Sequence, residues 1–262
     1  MRVIVDGVSK TYVDRARRPV RALDGIDLTV EAEEFVAVLG PSGCGKSTLL
    51  NLIAGLLTPT AGAIWLDGEL SPGRAATAMV FQEFALFPWR TVQANVELGL
   101  EELGVPRAER ARRGRPFVEL TGLAGFESRY PHQLSGGMRQ RVGIARALAV
   151  EPAVLLMDEP FSALDAQTRQ LLQEQLLEIW ERTRQTIVYV THNIQEAVYM
   201  ADRVVVLSRR PGRVLAEVKI DLARPRAERM LGDPAFIASV ERIWSLIREQ
   251  AAEAMTEGGG RG

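Results

Sequence analysis

Cysteine is almost absent from this sequence, since Cys44 is the only one in 262 residues. A lone thiol has no partner within the chain, which excludes an intramolecular disulfide framework and favours a reducing compartment. Long apolar runs are also lacking, and none approaches the roughly 18–20 residues that span a bilayer. The first residues reach Asp6 too early for a secretion signal. We therefore expect a soluble intracellular protein, which leaves peripheral attachment to a membrane protein open.

Net charge and aromatic residues are equally scarce. The formal net charge is -1 and aromatic residues make up 6% of the chain. A nearly neutral chain gives no electrostatic argument for a nucleic-acid partner, and we expect none. The hydrophobic share of 47% is that of an ordinary folded protein, and the length suits one large domain with a possible subdomain.

The most informative stretch is a glycine-rich loop between an apolar run, residues 35–39, and a helical run, residues 49–57. It reads Gly40-Pro41-Ser42-Gly43-Cys44-Gly45-Lys46-Ser47-Thr48. Strand, loop and helix are the context that the G-x-x-x-x-G-K-[ST] phosphate loop requires. The glycines let several backbone N–H groups converge at the positive end of a helix. Lys46 adds a charge for the outer phosphates, and Ser47 offers a hydroxyl to Mg²⁺. The stretch predicts a nucleoside triphosphate site.

Cys44 lies inside this loop, next to Lys46 and a helix N-terminus. Both neighbours stabilise a thiolate, so we expect a lowered pKa and a reactive thiol.

A second candidate is the end of the apolar run 154–157, which is followed by Asp158 and Glu159. A continuous apolar run indicates a strand buried on both faces, as in a parallel sheet. Asp158 at its carboxyl end is placed to hold Mg²⁺, and Glu159 to act as a general base toward water.

Four further positions are ambiguous when each is taken alone. Gln82 and His192 each end or follow a strand, where a polar side chain reaches a ligand or merely caps the sheet. Tyr12 either stacks on a base or packs. Ser135, followed by Gly136 and Gly137, is an N-cap opening a second helix N-terminus, or simply a capped turn.

The segment Phe84-Ala85-Leu86-Phe87-Pro88-Trp89 is the most aromatic in the chain. It is either a buried hydrophobic corner or an exposed anchor for another protein, and composition leaves both readings open.

Strands alternate with helices along most of the chain, which predicts an α/β fold with a mostly parallel sheet covered by helices. Only helical patterns occupy residues 89–150, so we expect a helical subdomain there, with core residues 1–88 and 151–225 around it. Residues 226–256 form a predicted helical extension, and residues 257–262 a disordered tail. We expect the extension helix to pack its apolar stripe on its own domain, and the alternative is a regulatory or dimer contact. The stripe comprises Phe236, Ile237, Val240, Ile243, Trp244 and Ile247.

Together these motifs resemble the ATP-binding subunit of an ABC transporter, over roughly residues 1–225. The matching segments are Walker A (residues 40–48), the signature (134–140), the Walker B end (Asp158 and Glu159) and the D-loop (162–165), with Gln82 in the Q-loop, His192 as the switch histidine and Tyr12 as the adenine-stacking residue. The resemblance implies a P-loop NTPase fold with an antiparallel β subdomain and an inserted all-helical subdomain.

The closer resemblance is to nitrate, sulfonate and taurine importers, in residues 81–89, 136–141 and 158–165. It implies a small anion as the transported solute. Two positions depart from the common pattern: Met138 replaces the usual Gln of the signature, and Asn193 replaces the usual Asp after the histidine. Neither departure predicts loss of activity.

The resemblance also implies the working assembly. Two copies bind head to tail around two ATP molecules, with Ser135, Gly136, Gly137 and Asp165 acting in trans. Within one copy the Mg²⁺ ligands are Ser47, Gln82 and Asp158, and hydrolysis relies on Lys46, Glu159 and His192.

Phe84, Phe87 and Trp89 would contact an integral membrane permease, which a solute-binding protein serves indirectly, at the inner face of the cell membrane. The alternative is a non-transport ABC ATPase of translation or DNA repair. The short spacing of about 90 residues between Lys46 and Gly136, without sustained heptads, argues against that alternative.

Overall fold

The structure is a computed structural model that describes the backbone of residues 1–258 and the side chains of residues 1–248. The chain forms two compact units. Unit 1 contains Met1 and Gly68–Ile187, and unit 2 contains Arg2–Asp67 and the residues from Val188 onward. Of the predicted disordered tail, residues 257 and 258 belong to the last helix, and residues 259–262 lie outside the described part.

The described residues form nine strands and eight α-helices. The strands are β1 (Arg2–Val13), β2 (Pro19–Val30), β3 (Phe35–Leu39), β4 (Ala61–Asp67), β5 (Thr77–Val80), β6 (Val154–Asp158), β7 (Thr186–Thr191), β8 (Arg203–Leu207) and β9 (Val214–Lys219). The helices are α1 (Lys46–Ile53), α2 (Val92–Val96), α3 (Leu98–Glu102), α4 (Arg107–Leu120), α5 (Gly136–Ala149), α6 (Ala166–Thr183), α7 (Ile194–Met200) and α8 (Pro234–Gly258).

Unit 2 contains an antiparallel sheet of order β2-β1-β4. Along β2, Ile26, Leu28 and Val30 are buried while the residues between them are exposed. This alternation is what one buried face of an antiparallel sheet requires. The predicted antiparallel subdomain is therefore confirmed.

The same unit holds β3, β8, β9 and the part of β7 from Val188 onward, in the order β7-β3-β8-β9. β3 runs parallel to β8, whereas β9 pairs antiparallel with β8. Every residue of β3 and β7 is buried, which is the pattern of parallel strands covered on both faces. The mostly parallel core that the apolar runs predict is confirmed.

Unit 1 is built on the parallel pair β5 and β6, with α2 to α5 between them in the chain. Four of the side chains that form its apolar core, Val96, Leu100, Val118 and Leu123, come from this helical segment and are fully buried. The helical pattern after the aromatic segment forms two short helices, α2 and α3, with Glu97 between them. Gly99 brings the backbone of α3 against the end of α5, since a Cβ there would lie 2.4 Å from Val150 Cγ1.

The chain before α8 is fastened to the end of α7. The buried Arg226 donates from Nη1 to the carbonyls of Val198 (2.9 Å), Tyr199 (3.0 Å) and Ala201 (2.7 Å). A guanidinium at a helix C-terminus satisfies carbonyls that have no partner within the helix. Arg224 adds a bond of 2.7 Å to Asp202.

Helix α8 buries only part of its predicted apolar stripe. Phe236 and Ile243 are buried, but Ile237 and Trp244 are 46% and 53% exposed. Each exposed residue follows a buried one and lies about 100° further round the helix, beyond the contact face. Within the described residues, no helix is both long and apolar enough to cross a membrane.

Candidate functional site

The phosphate loop of unit 2 depends on glycine at defined backbone positions. Gly43 and Gly45 have φ values of 77° and 107°, in the left-handed region that side chains disfavour. Gly45 directly precedes α1, and a Cβ on it would lie 2.6 Å from Leu23 Cδ2. The loop therefore turns into the helix at a point where only glycine fits.

A second chain segment supports the loop from behind. The Gly212 N–H donates to the Ala22 carbonyl (2.8 Å), and a Cβ on Gly212 would lie only 2.2 Å from the Cys44 carbonyl oxygen. The sequence analysis assigns Gly212 no role in the site. The adjacent Pro211-Gly212 pair was the available signal for a turn.

Lys46 is 6% exposed, and its ammonium lies against the loop. Its Nζ donates to the carbonyls of Gly40 (2.8 Å) and Pro41 (3.1 Å). These bonds hold the charge at the start of the loop. The Ser42 and Ser47 residues of the same loop are exposed.

Tyr12 lies beside the first turn of α1, where its hydroxyl is 3.4 Å from Thr48 Oγ1. The Tyr12 side chain is 39% exposed, and Lys10 Nζ lies 5.5 Å from the ring centroid. The structure thus brings the predicted aromatic residue next to the phosphate loop with part of its ring accessible.

His192 follows β7 and is exposed. It lines the same cavity as Gly40, Pro41 and Ser42. The next residue, Asn193, caps α7, because its Oδ1 accepts from the Glu196 N–H at 3.1 Å. The departure from Asp at this position therefore keeps an N-cap.

The environment of Cys44 contradicts the prediction of a reactive thiol. Its side chain is 1% exposed, and burial raises the pKa of the Cys44 thiol above its ordinary value, although the Lys46 charge acts in the opposite direction. The predicted lowering of this pKa is wrong, since desolvation of the thiolate outweighs the cation and the loop amides.

In unit 1, the parallel pairing aligns Val80 with Met157. Asp158, the last residue of β6, and Gln82, two residues after β5, therefore lie at the carboxyl ends of adjacent strands, where polar side chains of an α/β sheet meet a ligand. Asp158 is 5% exposed. Glu159 has a φ of 46°, which is unusual for a residue with a side chain, and such strain concentrates at functional positions.

The signature segment forms the predicted helix N-terminus. Ser135 caps α5, with its Oγ accepting from the Met138 N–H at 3.3 Å. A Cβ on Gly137 would lie 3.1 Å from Leu164 Cδ2, so the signature packs closely on the D-loop. In that loop Asp165 caps α6, and the Thr168 backbone N–H, at 2.9 Å, lowers the pKa of the Asp165 carboxyl.

The segment after Gln82 is tied to α5 by two arginines that sequence reasoning assigned no role. Arg146 donates to the carbonyls of Ala85 (2.6 Å) and Phe84 (3.4 Å), and the Arg139 guanidinium lies 5.0 Å from the Phe84 ring centroid. Burial lowers the pKa of Arg146. Their spacing of two helical turns on α5 was the available signal.

The aromatic segment is divided between two environments. Phe84 is half-buried on α5, whereas Phe87 and Trp89 are 37% and 70% exposed, with ring centroids 5.3 Å apart. The buried Asn95 holds this turn, accepting from the Phe87 N–H (2.9 Å) and donating to the carbonyls of Phe87, Arg90 and Thr91. We call Phe87 and Trp89 the aromatic patch.

The predicted Mg²⁺ ligands are one hydroxyl, one amide and one carboxylate, from Ser47, Gln82 and Asp158. The described residues contain no cluster of three or more His, Cys, Asp or Glu side chains with metal-site geometry. Mixed oxygen donors suit Mg²⁺, which keeps several waters and takes few protein ligands in phosphate sites.

A sequence profile described as ABC transporter matches residues 23–162. The chain belongs to the ABC transporter family. This ABC protein is 49% identical over 252 residues to an uncharacterised ABC transporter ATP-binding protein of Methanocaldococcus jannaschii, covering 96% of this chain and 93% of the relative.

Two relatives of this ABC protein have names that state a substrate. It is 44% identical over 260 residues to the nitrate import ATP-binding protein NrtD of Synechocystis, covering 97% of each chain. It is 47% identical over 249 residues to the taurine import ATP-binding protein TauB of Escherichia coli, covering 93% of this chain and 97% of TauB.

A solved structure of a dimeric ATP-binding cassette, in a post-hydrolysis state with ADP and Pi, resembles this ABC protein with a TM-score of 0.75. The two are 35% identical, over 84% of this chain and 100% of that cassette. The predicted family and the P-loop NTPase fold are confirmed. The individual site residues stay predictions.

The raised pKa of Cys44 makes stability depend on pH. The thiol is neutral in both states below about pH 9, its ordinary pKa, and above that pH only the unfolded chain ionises freely. We expect the free energy of unfolding to fall more steeply from pH 8 to pH 10 in the wild type than in Cys44→Ser. Urea denaturation at each pH measures this slope, and equal slopes for the two proteins would contradict the burial argument.

Proposed function

We propose that this chain is the ATP-hydrolysing subunit of an ABC importer for a small anion. The observation that supports the proposal most strongly is the phosphate loop. Lys46 is held against this loop, and the N-cap of α1 is Gly45, so that no side chain caps the helix. Such a loop presents backbone N–H groups and a helix dipole to phosphate oxygens. The relatives named for nitrate and taurine import support the anion class.

Hydrolysis is attack by water on the terminal phosphoryl group. Lys46 and the loop amides stabilise the charge that spreads over the phosphoryl oxygens. Mg²⁺, when bound by Ser47, Gln82 and Asp158, would supply charge neutralisation between the outer phosphates. His192 positions the terminal phosphate, and its place beside Gly40 and Ser42 supports that role.

Glu159 is proposed as the general base. The carboxylate follows the buried Asp158 at the end of β6, and the left-handed backbone sets its direction. The Glu159 carbonyl accepts from both the N–H (3.1 Å) and the hydroxyl (3.0 Å) of Ser162, which fixes the backbone at this residue. A fixed carboxylate can orient and deprotonate water.

The second half of each ATP site is proposed to come from another copy of the chain. Ser135, Gly136 and Gly137 open α5 without a bulky side chain, which suits contact with a terminal phosphate. Asp165 would join them from the D-loop. Dimeric cassettes among the solved relatives support a two-copy assembly.

The aromatic patch is proposed as the contact with a membrane permease. Exposed aromatic side chains are frequent anchors of protein interfaces, and Trp89 is the most exposed of the chain's described tryptophans. Arg139 and Arg146 connect the segment after Gln82 to α5, which offers a mechanical route from nucleotide to permease. Phe84 would act within this connection. The protein would then lie at the cytoplasmic face of the membrane, with a solute-binding protein acting through the permease.

Glu159→Gln tests the general base. We expect ATP binding to persist while turnover falls by about 10²–10⁴, because the amide cannot take a proton from water. Glu151→Gln is a matched control, since Glu151 has the same φ of 46° and lies three residues before β6 begins. Measured ATPase close to wild type in the Glu159 variant would refute the assignment.

Mixing two inactive variants tests the shared site. Gly136→Asp places a carboxylate at the N-terminus of α5, where it should repel a triphosphate. The fold should tolerate the change, because a helix N-terminus stabilises a carboxylate and a Cβ at Gly136 meets only Phe84 Cζ, at 3.9 Å. Lys46→Ala removes the other half of the site. If the site is shared, the mixture should regain ATPase, up to about a quarter of wild type for random pairing in a symmetric dimer. No recovery in proven heterodimers would contradict a shared site.

Phe87→Ala combined with Trp89→Ala tests the permease contact. We expect the isolated protein to retain ATPase and to lose co-purification with its permease, because two interface anchors are removed. Trp65→Ala is the control, being a 49% exposed tryptophan on the antiparallel sheet. Unchanged binding of the permease by the double variant would remove the aromatic patch from the interface.

A further inference from the structure

Helix α8 forms one wall of a cavity of about 320 Å³ beside the phosphate loop. The other walls come from β3 and the loop, from the start of α7, and from β8 and β9. The lining residues are Leu39, Gly40, Pro41, Ser42, His192, Ile194, Leu207, Arg209, Leu215, Trp244 and Ile247. All of them belong to unit 2, and α8 contributes Trp244 and Ile247.

The walls of the cavity combine apolar surface with a positively charged side chain. Most of the lining is apolar, and Trp244 is a large aromatic side chain that remains 53% exposed. Arg209 is exposed and adds a positive charge to the lining. A cavity of this size, with one aromatic wall and few polar groups, has the features of a small-molecule site.

We propose that this cavity binds a small aromatic monoanion, such as an aryl sulfonate or aryl carboxylate. Its ring would lie against Trp244 and the aliphatic wall, where aromatic contact adds to burial of apolar surface. Its anionic group would pair with Arg209. The volume of the cavity lies within the range of small-molecule sites.

Occupancy of this cavity should be linked to nucleotide binding. Gly40, Pro41 and Ser42 belong both to the cavity lining and to the phosphate loop, and His192 lines the same cavity. A ligand that changes the affinity for ATP must have its own affinity changed by the same factor. This linkage rests on the proposed ATP site, whereas binding of the anion in the cavity does not.

The test uses naphthalene-1-sulfonate and its neutral analogue, naphthalene-1-sulfonamide, with the full-length protein in equilibrium dialysis. We expect saturable binding of the sulfonate to one site in the wild type. Trp244→Ala should weaken it about tenfold by removing the aromatic wall. Arg209→Gln, an exposed substitution with little consequence for folding, should weaken the sulfonate about fivefold and leave the sulfonamide unchanged.

Two matched controls define the site. Ile237→Ala changes an exposed residue of α8 outside the cavity, and Arg210→Gln changes the exposed arginine next to Arg209. Both should bind the sulfonate as the wild type does. The proposal is overturned if the wild type shows no saturable binding, or if Arg209→Gln and Trp244→Ala bind the sulfonate as tightly as their controls.

Repeating the dialysis with ATP present separates this inference from the proposed function. A shift in sulfonate affinity, matched by an equal shift in ATP affinity, supports the linkage. Sulfonate binding that depends on Trp244 and Arg209 but ignores ATP keeps the cavity site and overturns its linkage. Loss of ATP binding alone would contradict the proposed function and leave the sulfonate result standing.

Discussion

Close backbone packing around the phosphate loop is the constraint on which the nucleotide site depends. The loop can gather its N–H groups only if no side chain stands between it and the segments behind it. Gly45 meets Leu23 on one side, and Gly212 meets the Cys44 carbonyl on the other, both at distances that exclude a Cβ. Lys46 is then held at the start of the loop by two carbonyl oxygens. The same packing desolvates Cys44, which is why a thiol beside a lysine stays protonated.

In unit 1, a second set of contacts joins α5 to the segment that follows Gln82. The segment after Gln82 is held to α5 by two arginines, because Arg146 binds two of its carbonyls and Arg139 covers the Phe84 ring. Because both arginines belong to α5, movement of this segment must involve the helix whose N-terminus carries the signature. Asn95 fixes the following turn, which leaves Phe87 and Trp89 outside the core. One helix thus contacts both the proposed trans site and the base of the aromatic patch.

The C-terminal extension is attached to the rest of unit 2 by specific side-chain contacts. Arg224 and Arg226 fasten it to the end of α7, so α8 begins from a fixed point. From there Phe236 and Ile243 bury one face of the helix, and Trp244 faces the cavity beside His192 and the phosphate loop. The proposed aromatic anion would cover this tryptophan and remove part of its apolar surface from water.

The features of this protein that depend only on local residue chemistry could be predicted from the sequence alone. Glycine spacing, the Lys-Ser pair and the flanking strand and helix were enough for the phosphate loop, and continuous apolar runs were enough for the parallel strands. Caps such as Ser135 also followed from residue type, because they act within one turn of the chain. Tertiary structure decided what depends on distant neighbours: the burial that raises the pKa of Cys44, the close approach of Gly99 to Val150, and the role of Gly212. The exposure of the aromatic patch could not be predicted from the sequence for the same reason, since burial is a property of the packed fold and not of a residue's type or spacing.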